Sequence, residues 1–274
     1  MVDKKDIMII GAGGSLGRCL CDLLSGNNLI AVDINENSLA YLSRVDNIKK
    51  EKIYIEDVRN FQRIKSIIEY HKVSLVINCA AMKHVMWCEK NIREAININI
   101  ISNLELINYL SKNNKKFIHI SSDKAYRPSN IYALTKQFAD YITKLYNFKL
   151  VIGVNFINSN GSVLDIWNEQ YLKGKPFTVV DNEQCNRYFI KIEQMANLVK
   201  IAINDNSKYE YTPDLIYKIY IKDLFRAYLK SNHIKKYEIK KIKLPETEKI
   251  TEDLNFDTTI IETRDINEII KILF

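Results

Sequence analysis

Residues 7–17 read Ile7-Met8-Ile9-Ile10-Gly11-Ala12-Gly13-Gly14-Ser15-Leu16-Gly17, and this stretch decides the fold. Four apolar residues make a short strand, and a helical pattern through Leu20, Leu23 and Leu24 follows the last glycine. Strand, glycine turn and helix together form the context in which a glycine motif reads as a dinucleotide site. Glycines let the backbone approach a pyrophosphate, and the free amides of the helix N-terminus hold it. The pattern G-x-G-x-x-G misfits at its last position, whereas G-x-x-G-x-x-G fits at Gly11, Gly14 and Gly17. Ser15 and Leu16, between the last two glycines, belong to the same cradle.

Outward from it, strands and helices alternate. Leu29-Ile30-Ala31-Val32 ends at Asp33, sixteen residues past Gly17, where a carboxylate can bind adenosine ribose hydroxyls. Ile53-Tyr54-Ile55 precedes Asp57 and Val58, and Val73 to Ile77 leads into Asn78-Cys79-Ala80-Ala81, whose small side chains admit a cofactor close to the backbone. Strands are expected near 7–11, 29–33, 52–56, 73–79, 115–122 and 149–155, and their continuous apolar character suits strands covered on both faces. Helices are expected from Met82 to Asn113 and, started by Pro128 and Ser129-Asn130, from Ile131 to Tyr146. The fold class is α/β: a Rossmann-type doubly wound parallel sheet over 1–155, with a small substrate-binding lobe at 156–274 interleaved with the late strands. In that lobe Asn158 to Ser162 reads as a loop, Val163 to Leu172 as a helix and Lys173-Gly174-Lys175-Pro176 as a turn.

The chemistry gathers around residues 117–136. Phe117-Ile118-His119-Ile120 is strand-like, so Ser121-Ser122-Asp123-Lys124 falls at a carboxyl end, where open α/β sheets bind ligands. Tyr132 and Lys136, four apart, share one helix face. An ammonium beside a phenol favours the phenolate and makes a base of it. Each residue also has a plain reading: Asp123 as a turn cap, Lys83 and His84 as surface residues at a helix start, Arg187 as a salt-bridge partner.

Bulk properties narrow the function classes. The 274 residues suit one large α/β unit or one with a small appended lobe. No apolar run approaches the roughly 18 residues that span a bilayer, and the charged start Met1-Val2-Asp3-Lys4-Lys5-Asp6 is not a secretory signal, so a cytoplasmic location without membrane insertion is expected. Five cysteines, odd in number and without metal-ligand spacing, read as reduced thiols with no metal. The net charge of +7 includes a dense basic stretch at Lys235-Lys236, Lys240-Lys241 and Lys243. With a single aromatic, Tyr237, and no glycine, it lacks the pattern of an RNA-binding sheet and reads as a solvated face, not a nucleic-acid site. A diffuse positive field suits an anionic, phosphorylated substrate.

On these residues the chain resembles the extended short-chain dehydrogenase/reductases. More narrowly, it is similar to the configuration-inverting UDP-N-acetylglucosamine 4,6-dehydratases of bacterial polysaccharide and flagellin-sugar biosynthesis. Ala80-Ala81-Met82-Lys83-His84-Val85 matches that family's alanine-alanine-x-lysine-histidine-valine run. Ser122-Asp123-Lys124 stands where the family has threonine-aspartate-lysine, and Ile131 to Lys136 matches its tyrosine-x-x-threonine-lysine segment. Asn155 and Gly161-Ser162-Val163 match substrate positions, and Asn186 to Ile190 resembles the segment whose arginine, here Arg187, contacts the nucleotide diphosphate. Leu244-Pro245-Glu246-Thr247-Glu248-Lys249-Ile250 looks like a degenerate arginine-proline-glycine-glutamate-lysine run.

The resemblance implies further roles. Ala80, Ala81, Lys83 and Asn99 join the cofactor set, as do Tyr132 and Lys136, and Lys83 and His84 the substrate set. It implies a nucleotide-sugar substrate and a homo-oligomer, with apolar residues of the 82–113 helix as an interface. In the implied reaction Tyr132 takes the 4-hydroxyl proton while hydride passes from carbon 4 to the nicotinamide, and Ser122 bonds the same oxygen. Lys124 then removes the carbon 5 proton, Asp123 protonates the departing 6-hydroxyl, hydride returns to carbon 6, and carbon 5 is reprotonated from the opposite face.

Departures from the family fall on the cofactor and substrate side. Asp33-Ile34 replaces a serine-arginine pair that suits the 2′-phosphate of NADP. A carboxylate repels that phosphate, so NAD is the expected cofactor and NADP the alternative. Ile152-Gly153-Val154 replaces arginine-tyrosine-glycine before Asn155, and the late run has lost its arginine and glycine. A 4-epimerase or 4-reductase, or a non-catalytic dinucleotide-binding protein, are the competing readings.

Overall fold

The computed structural model describes residues 4–45, 48–157 and 159–273; Met1 to Asp3 of the charged start and Asn158 of the loop lie outside the described residues. In chain order the strands are β1 (Asp6–Ile10), β2 (Asn28–Asp33), β3 (Ile53–Ile55), β4 (Leu75–Asn78), β5 (Lys116–Ser122), β6 (Lys149–Gly153), β7 (Asn155–Phe156), β8 (Phe177–Val180), β9 (Asn186–Ile190), β10 (Glu210–Tyr211), β11 (Leu215–Tyr220), β12 (Ile239–Ile242) and β13 (Thr259–Thr263). The α-helices are α1 (Ser15–Leu23), α2 (Glu36–Val45), α3 (Phe61–Tyr70), α4 (Val85–Lys90), α5 (Ile92–Ile96), α6 (Ser102–Lys112), α7 (Ile131–Leu145), α8 (Val163–Leu172), α9 (Ile192–Asn204), α10 (Ile221–Ser231) and α11 (Ile266–Leu273).

Seven strands form the main sheet in the order β10-β6-β5-β4-β1-β2-β3, every neighbouring pair parallel. The chain runs outward from β1 to β3 and then crosses back to β4, so the winding reverses between β1 and β4. That reversal opens a crevice at the strands' carboxyl ends. Alternation along β1 feeds two cores. Ile7 and Ile9 pack with Leu16 and Leu20 of α1 and with Met195, Val199 and Ile203 of α9. Met8 and Ile10 pack with Ile64 and Ile68 of α3 and with Leu106 and Leu110 of α6. Both faces are thus covered, as the unbroken apolar strands require.

Two expectations need correction. The stretch from Met82 to Asn113 is not one helix. Helix α4 starts only at Val85 and stops where Asn91 leaves the helical region (φ −131°, ψ 57°), and α5 joins α6 through a π-helical turn, Asn97–Ile101. The strand expected at 149–155 is likewise two strands. β6 ends at Gly153, and β7 pairs with β9 in a second sheet of order β13-β11-β9-β7. A Cβ on Gly153 would stand 3.0 Å from the Phe156 ring, so a glycine suits this switch between sheets. β8 and β12 pair apart from both sheets. A third core, built on Trp167, Phe177, Phe225 and Tyr228, fills the space between α8, β8 and α10. β12, carrying Lys240 and Lys241, is exposed along its length.

Candidate active site

The glycine turn after β1 is shaped for close approach. Gly11 has φ +79°, and a Cβ there would stand 2.7 Å from the Ala80 amide nitrogen. A Cβ on Gly17 would stand 2.1 Å from the Gly11 carbonyl oxygen. Helix α1 starts after Gly14 with no side-chain cap on its first amides, an arrangement that suits an anion. A cavity of about 460 Å³ opens over this turn, within the usual range for cofactor sites. Its lining includes Gly11, Gly14, Ser15, Leu16, Gly17, Asp33, Asp57, Val58, Ala80, Ala81 and Lys83. These are the sequence-expected cofactor residues apart from Asn99, Tyr132 and Lys136. The cradle therefore fits a dinucleotide.

Asp33 is pinned by two amides: Gly13 N–H donates to Oδ2 and Asn35 N–H to Oδ1, both at 2.8 Å. Asp57 holds Arg59, whose Nε donates to both carboxylate oxygens at 3.0 and 2.9 Å and which also pairs with Glu94. That hydrogen-bonded guanidinium lowers the Asp57 pKa. Asn99 acts from behind. Projecting from the π-helical turn, its side chain accepts from Met82 N–H (2.8 Å) and donates to the Met82 carbonyl and to Thr135 Oγ1 (both 2.9 Å). Asn103 donates to the Asn99 carbonyl, and Asn78 donates to Asn103 while accepting from Ala80 N–H. This amide chain fixes Ala80 to Met82, the cavity wall, against α7.

Beside the cavity, Ser122 ends β5 and Asp123 and Lys124 form a 3₁₀ turn. Ser122 Oγ donates to Asp123 Oδ1 at 2.8 Å, and the buried Asp123 Oδ2 has no hydrogen-bond partner among the described residues. Lys124 Nζ reaches Asp123 Oδ1 at 3.4 Å and Asn155 Oδ1 at 3.5 Å. Helix α7 opens with Asn130 capping Ala133 N–H at 2.9 Å, which sets Tyr132 and Lys136 in its first two turns. Burial raises the Tyr132 pKa, a hydrogen bond with Ser122 opposes it, and Asp123 adds to the rise. Burial lowers Lys136 to about 8, against Asp140 and Cys79. Lys136 Nζ bonds the Ile120 carbonyl and lies 3.0 Å from His119 Nε2.

The remaining expected residues come from the turn after β4, from β7 and β9, and from the start of α8. Lys83 Nζ donates to the Asn160 carbonyl at 2.7 Å, and Asn160 N–H donates to Ser15 Oγ at 3.1 Å, so residue 160 bridges the two sides of the cavity. A Cβ on Gly161 (φ +71°) would stand 2.8 Å from the His84 ring. Ser162 caps α8 through Asp165 N–H, and Val163 opens that helix. Asn155 Nδ2 donates to the Tyr188 carbonyl at 2.8 Å. Arg187, buried on β9, pairs with Glu248 at 2.9 Å and donates to the carbonyls of Asn186 and Ile250. Sequence reasoning missed Glu252, which lies 3.6 Å from Lys124 Nζ, and the roles of the buried His119 and Ser121 and the half-buried Asp140 beneath Lys136. Asp140, at the i+4 position after Lys136, was the one readable signal.

A family of polysaccharide biosynthesis proteins matches residues 7–273. An uncharacterized membrane protein of Methanocaldococcus jannaschii is 36% identical over 208 residues, 71% of this chain and 62% of that protein. An inverting UDP-N-acetylglucosamine 4,6-dehydratase of Campylobacter jejuni is 29% identical over 213 residues (73% and 63%), and a UDP-glucose 4-epimerase of Rickettsia prowazekii 30% over 223 residues (74% and 63%). The chain thus spans less than two thirds of these relatives' lengths. Among solved structures, Pen from Bacillus thuringiensis superposes with a TM-score of 0.82 at 25% identity, over 91% of this chain and 84% of that one. No helix among the described residues is long and apolar enough to cross a membrane.

Proposed function

This chain belongs to the polysaccharide biosynthesis protein family, and from that premise we propose that it is a nucleotide-sugar 4,6-dehydratase that converts UDP-N-acetylglucosamine, or a close relative, to a 4-keto-6-deoxy sugar with inversion at carbon 5. The observation that carries the reading is the Asp123-Lys124 turn set directly against Ser122, which bonds Tyr132. Oxidation at carbon 4 needs only Ser122, Tyr132 and Lys136. An acid and a base one step further along have a use only if a proton leaves carbon 5 and a hydroxyl leaves carbon 6.

Gly11, Gly14, Gly17 and Asp33 would hold NAD, and Asp33 disfavours the extra phosphate of NADP. When bound, the nicotinamide supplies reversible storage of the hydride that leaves carbon 4 and ends on carbon 6. Tyr132, the base for the 4-hydroxyl, is oriented through Ser122. Asp123, whose buried Oδ2 has no hydrogen-bond partner among the described residues, would carry the proton that the 6-hydroxyl leaves with. Lys124 is the base at carbon 5. Arg187 and Lys83 would supply positive charge for the diphosphate, with His84 beside Lys83 as a neutral hydrogen-bonding group, and the elements after residue 156 would form the substrate lobe.

Assembly belongs to the same reading. Ile96, Leu134, Phe138 and Tyr141 are exposed side by side on α5 and α7. An uncharged apolar face of this kind suits a second copy of the chain. Sedimentation velocity decides this: a species of single-chain mass at working concentration sinks it.

The reaction itself is tested by incubation with UDP-N-acetylglucosamine in deuterated water, read by NMR and mass spectrometry. The expected product is 4-keto-6-deoxy with inverted, deuterated carbon 5. A product inverted at carbon 4 that keeps its carbon 5 proton would establish the epimerase reading instead.

A further inference from the structure

Lys124 faces a second carboxylate. Its Nζ, on a side chain only 15% exposed, lies 3.4 Å from Asp123 Oδ1 and 3.6 Å from Glu252 Oε1. Glu252 is itself 6% exposed and comes from the irregular segment between β12 and β13. That segment is fastened at several points. Arg187 pairs with Glu248 at 2.9 Å, Lys249 Nζ donates to the Tyr126 carbonyl at 3.1 Å, and Asn186 N–H donates to the Ile250 carbonyl at 3.0 Å. The charged groups facing Glu252 are Lys124, Asp123, Arg187 and Lys249, the last at 3.9 Å. Burial raises the Glu252 carboxyl, Lys124 lowers it, and Asp123 raises it again.

The dehydratase chemistry gives this arrangement a task. An ammonium cannot act as a base until it loses a proton. Asp123 cannot take that proton if it is to deliver its own to the 6-hydroxyl. Resting on the dehydratase reading above, we propose that Glu252 is the proton partner of Lys124, holding its ammonium between turnovers and accepting one proton from it before carbon 5 is deprotonated. In that step an Nζ–H bond breaks and an Oε–H bond forms, so an ion pair becomes a neutral amine and a carboxylic acid with no change in net charge. Exchange of a buried ion pair for a neutral one is favoured where water is scarce. The amine then takes the carbon 5 proton, and the C–H bonding pair enters the enolate of the 4-ketone. Lys124 then releases the substrate's proton to solvent, a solvent proton re-enters carbon 5 from the opposite face, and Glu252 returns its own proton to the Lys124 amine. Glu252 acts through Lys124 and is therefore a positioning residue.

The test uses the full chain with bound cofactor and UDP-N-acetylglucosamine. It compares the parent, Glu252→Gln and Glu252→Asp for carbon 5 deuterium exchange, kcat and KM from about pH 6 to about pH 10, a range that approaches the ordinary lysine pKa. For Glu252→Gln, exchange and kcat should fall about 100-fold or more near neutral pH, the scale of a lost acid–base group. Both should recover as the pH rises and solvent takes the proton instead, with KM within about threefold of the parent's. Reduced cofactor from the carbon 4 oxidation should still appear. Glu252→Asp, which keeps a carboxylate, should retain most of the neutral-pH rate. A Glu252→Gln chain with the parent's rate and pH profile overturns the inference. So does one that loses activity equally at every pH with a raised KM, which would make Glu252 a packing or substrate contact. A parent chain that turns over without exchanging carbon 5 sinks the dehydratase reading and this inference together, a result distinct from parent exchange that Glu252→Gln leaves untouched.

Discussion

Gly17→Ala isolates what the glycine turn contributes. The backbone at Gly17 is ordinary, so the added methyl acts through contact alone. Its Cβ would lie 2.1 Å from the Gly11 carbonyl oxygen, 2.7 Å from Ala12 Cα and 2.9 Å from the Ala12 carbonyl carbon. All three are backbone atoms, so no rotamer change relieves the clash. Separations under 3.0 Å are not seen for real Cβ atoms, so α1 must move from the turn by roughly 1 Å, and overpacking of this kind costs about 1–3 kcal/mol. Alanine regains up to about 1 kcal/mol of helix propensity. With that gain subtracted, the net loss is up to about 2 kcal/mol, a Tm lowered by up to roughly 8 °C in a chain of this size. The displaced amides are those of the anion cradle, so NAD affinity should fall about tenfold or more, equivalent to about 1.4 kcal/mol. Gly26→Ala is the control, because a Cβ there meets nothing within 4 Å. Calorimetry and fluorescence titration of NAD measure both effects. A Gly17→Ala chain matching the control in Tm and affinity refutes the claim that this turn is held at backbone contact.

Tyr132→Phe should bind cofactor like the parent yet lose turnover by about 10²–10⁴-fold, read as product formation by NMR; near-parental turnover would remove Tyr132 from the chemistry. Asp33→Ser should lower the ratio of NAD to NADP affinity about tenfold or more by removing a like-charge repulsion, measured by paired fluorescence titrations, with an unchanged ratio counting against Asp33 as the discriminator. Asp140 gives a signed pH effect. Its carboxyl ionises near 3.8 when unfolded, but burial holds the folded value up at about 6. Across that window the folded state binds more protons, so this contribution to stability is full below the lower value and lost as pH rises through the upper one. The Tm of Asp140→Asn should therefore gain on the parent's from about pH 4 to about pH 6 and level off above, and a difference flat across those pH values would refute the assignment.

The cradle was legible because glycine spacing, strand and helix are contiguous, and each reports the same backbone requirement. The parallel strands were legible for a related reason: burial on both faces leaves no alternation to confuse. The helix breaks between Met82 and Asn113 were not. Asn91 is an ordinary residue in a helical pattern, and a π-helical turn adds one residue per turn without disturbing the apolar count that marks a helix. Asn99 was legible only as a position by resemblance; its work as a clamp on Met82 and Thr135 depends on that extra residue. Glu252 was hidden differently. It lies just past the run from Leu244 to Ile250 that carried the late resemblance, and its partner Lys124 lies far earlier in the chain. Only the fastening of that segment by Arg187 and Lys249 turns it inward.

The late return of the chain to the main sheet bears on where this protein could be cut. β10 pairs with β6 through Glu210–Leu150 and Tyr211–Val151, and α9 shares a core with Ile7 and Ile9. A fragment ending near residue 155 would keep the whole glycine cradle. It would still leave the β6 edge open and strip Met195, Val199 and Tyr211 from the apolar face beneath β1. Unpaired edges over bare apolar surface recruit other chains. A fragment that ended there is therefore expected to be less stable and more prone to self-association than the full chain.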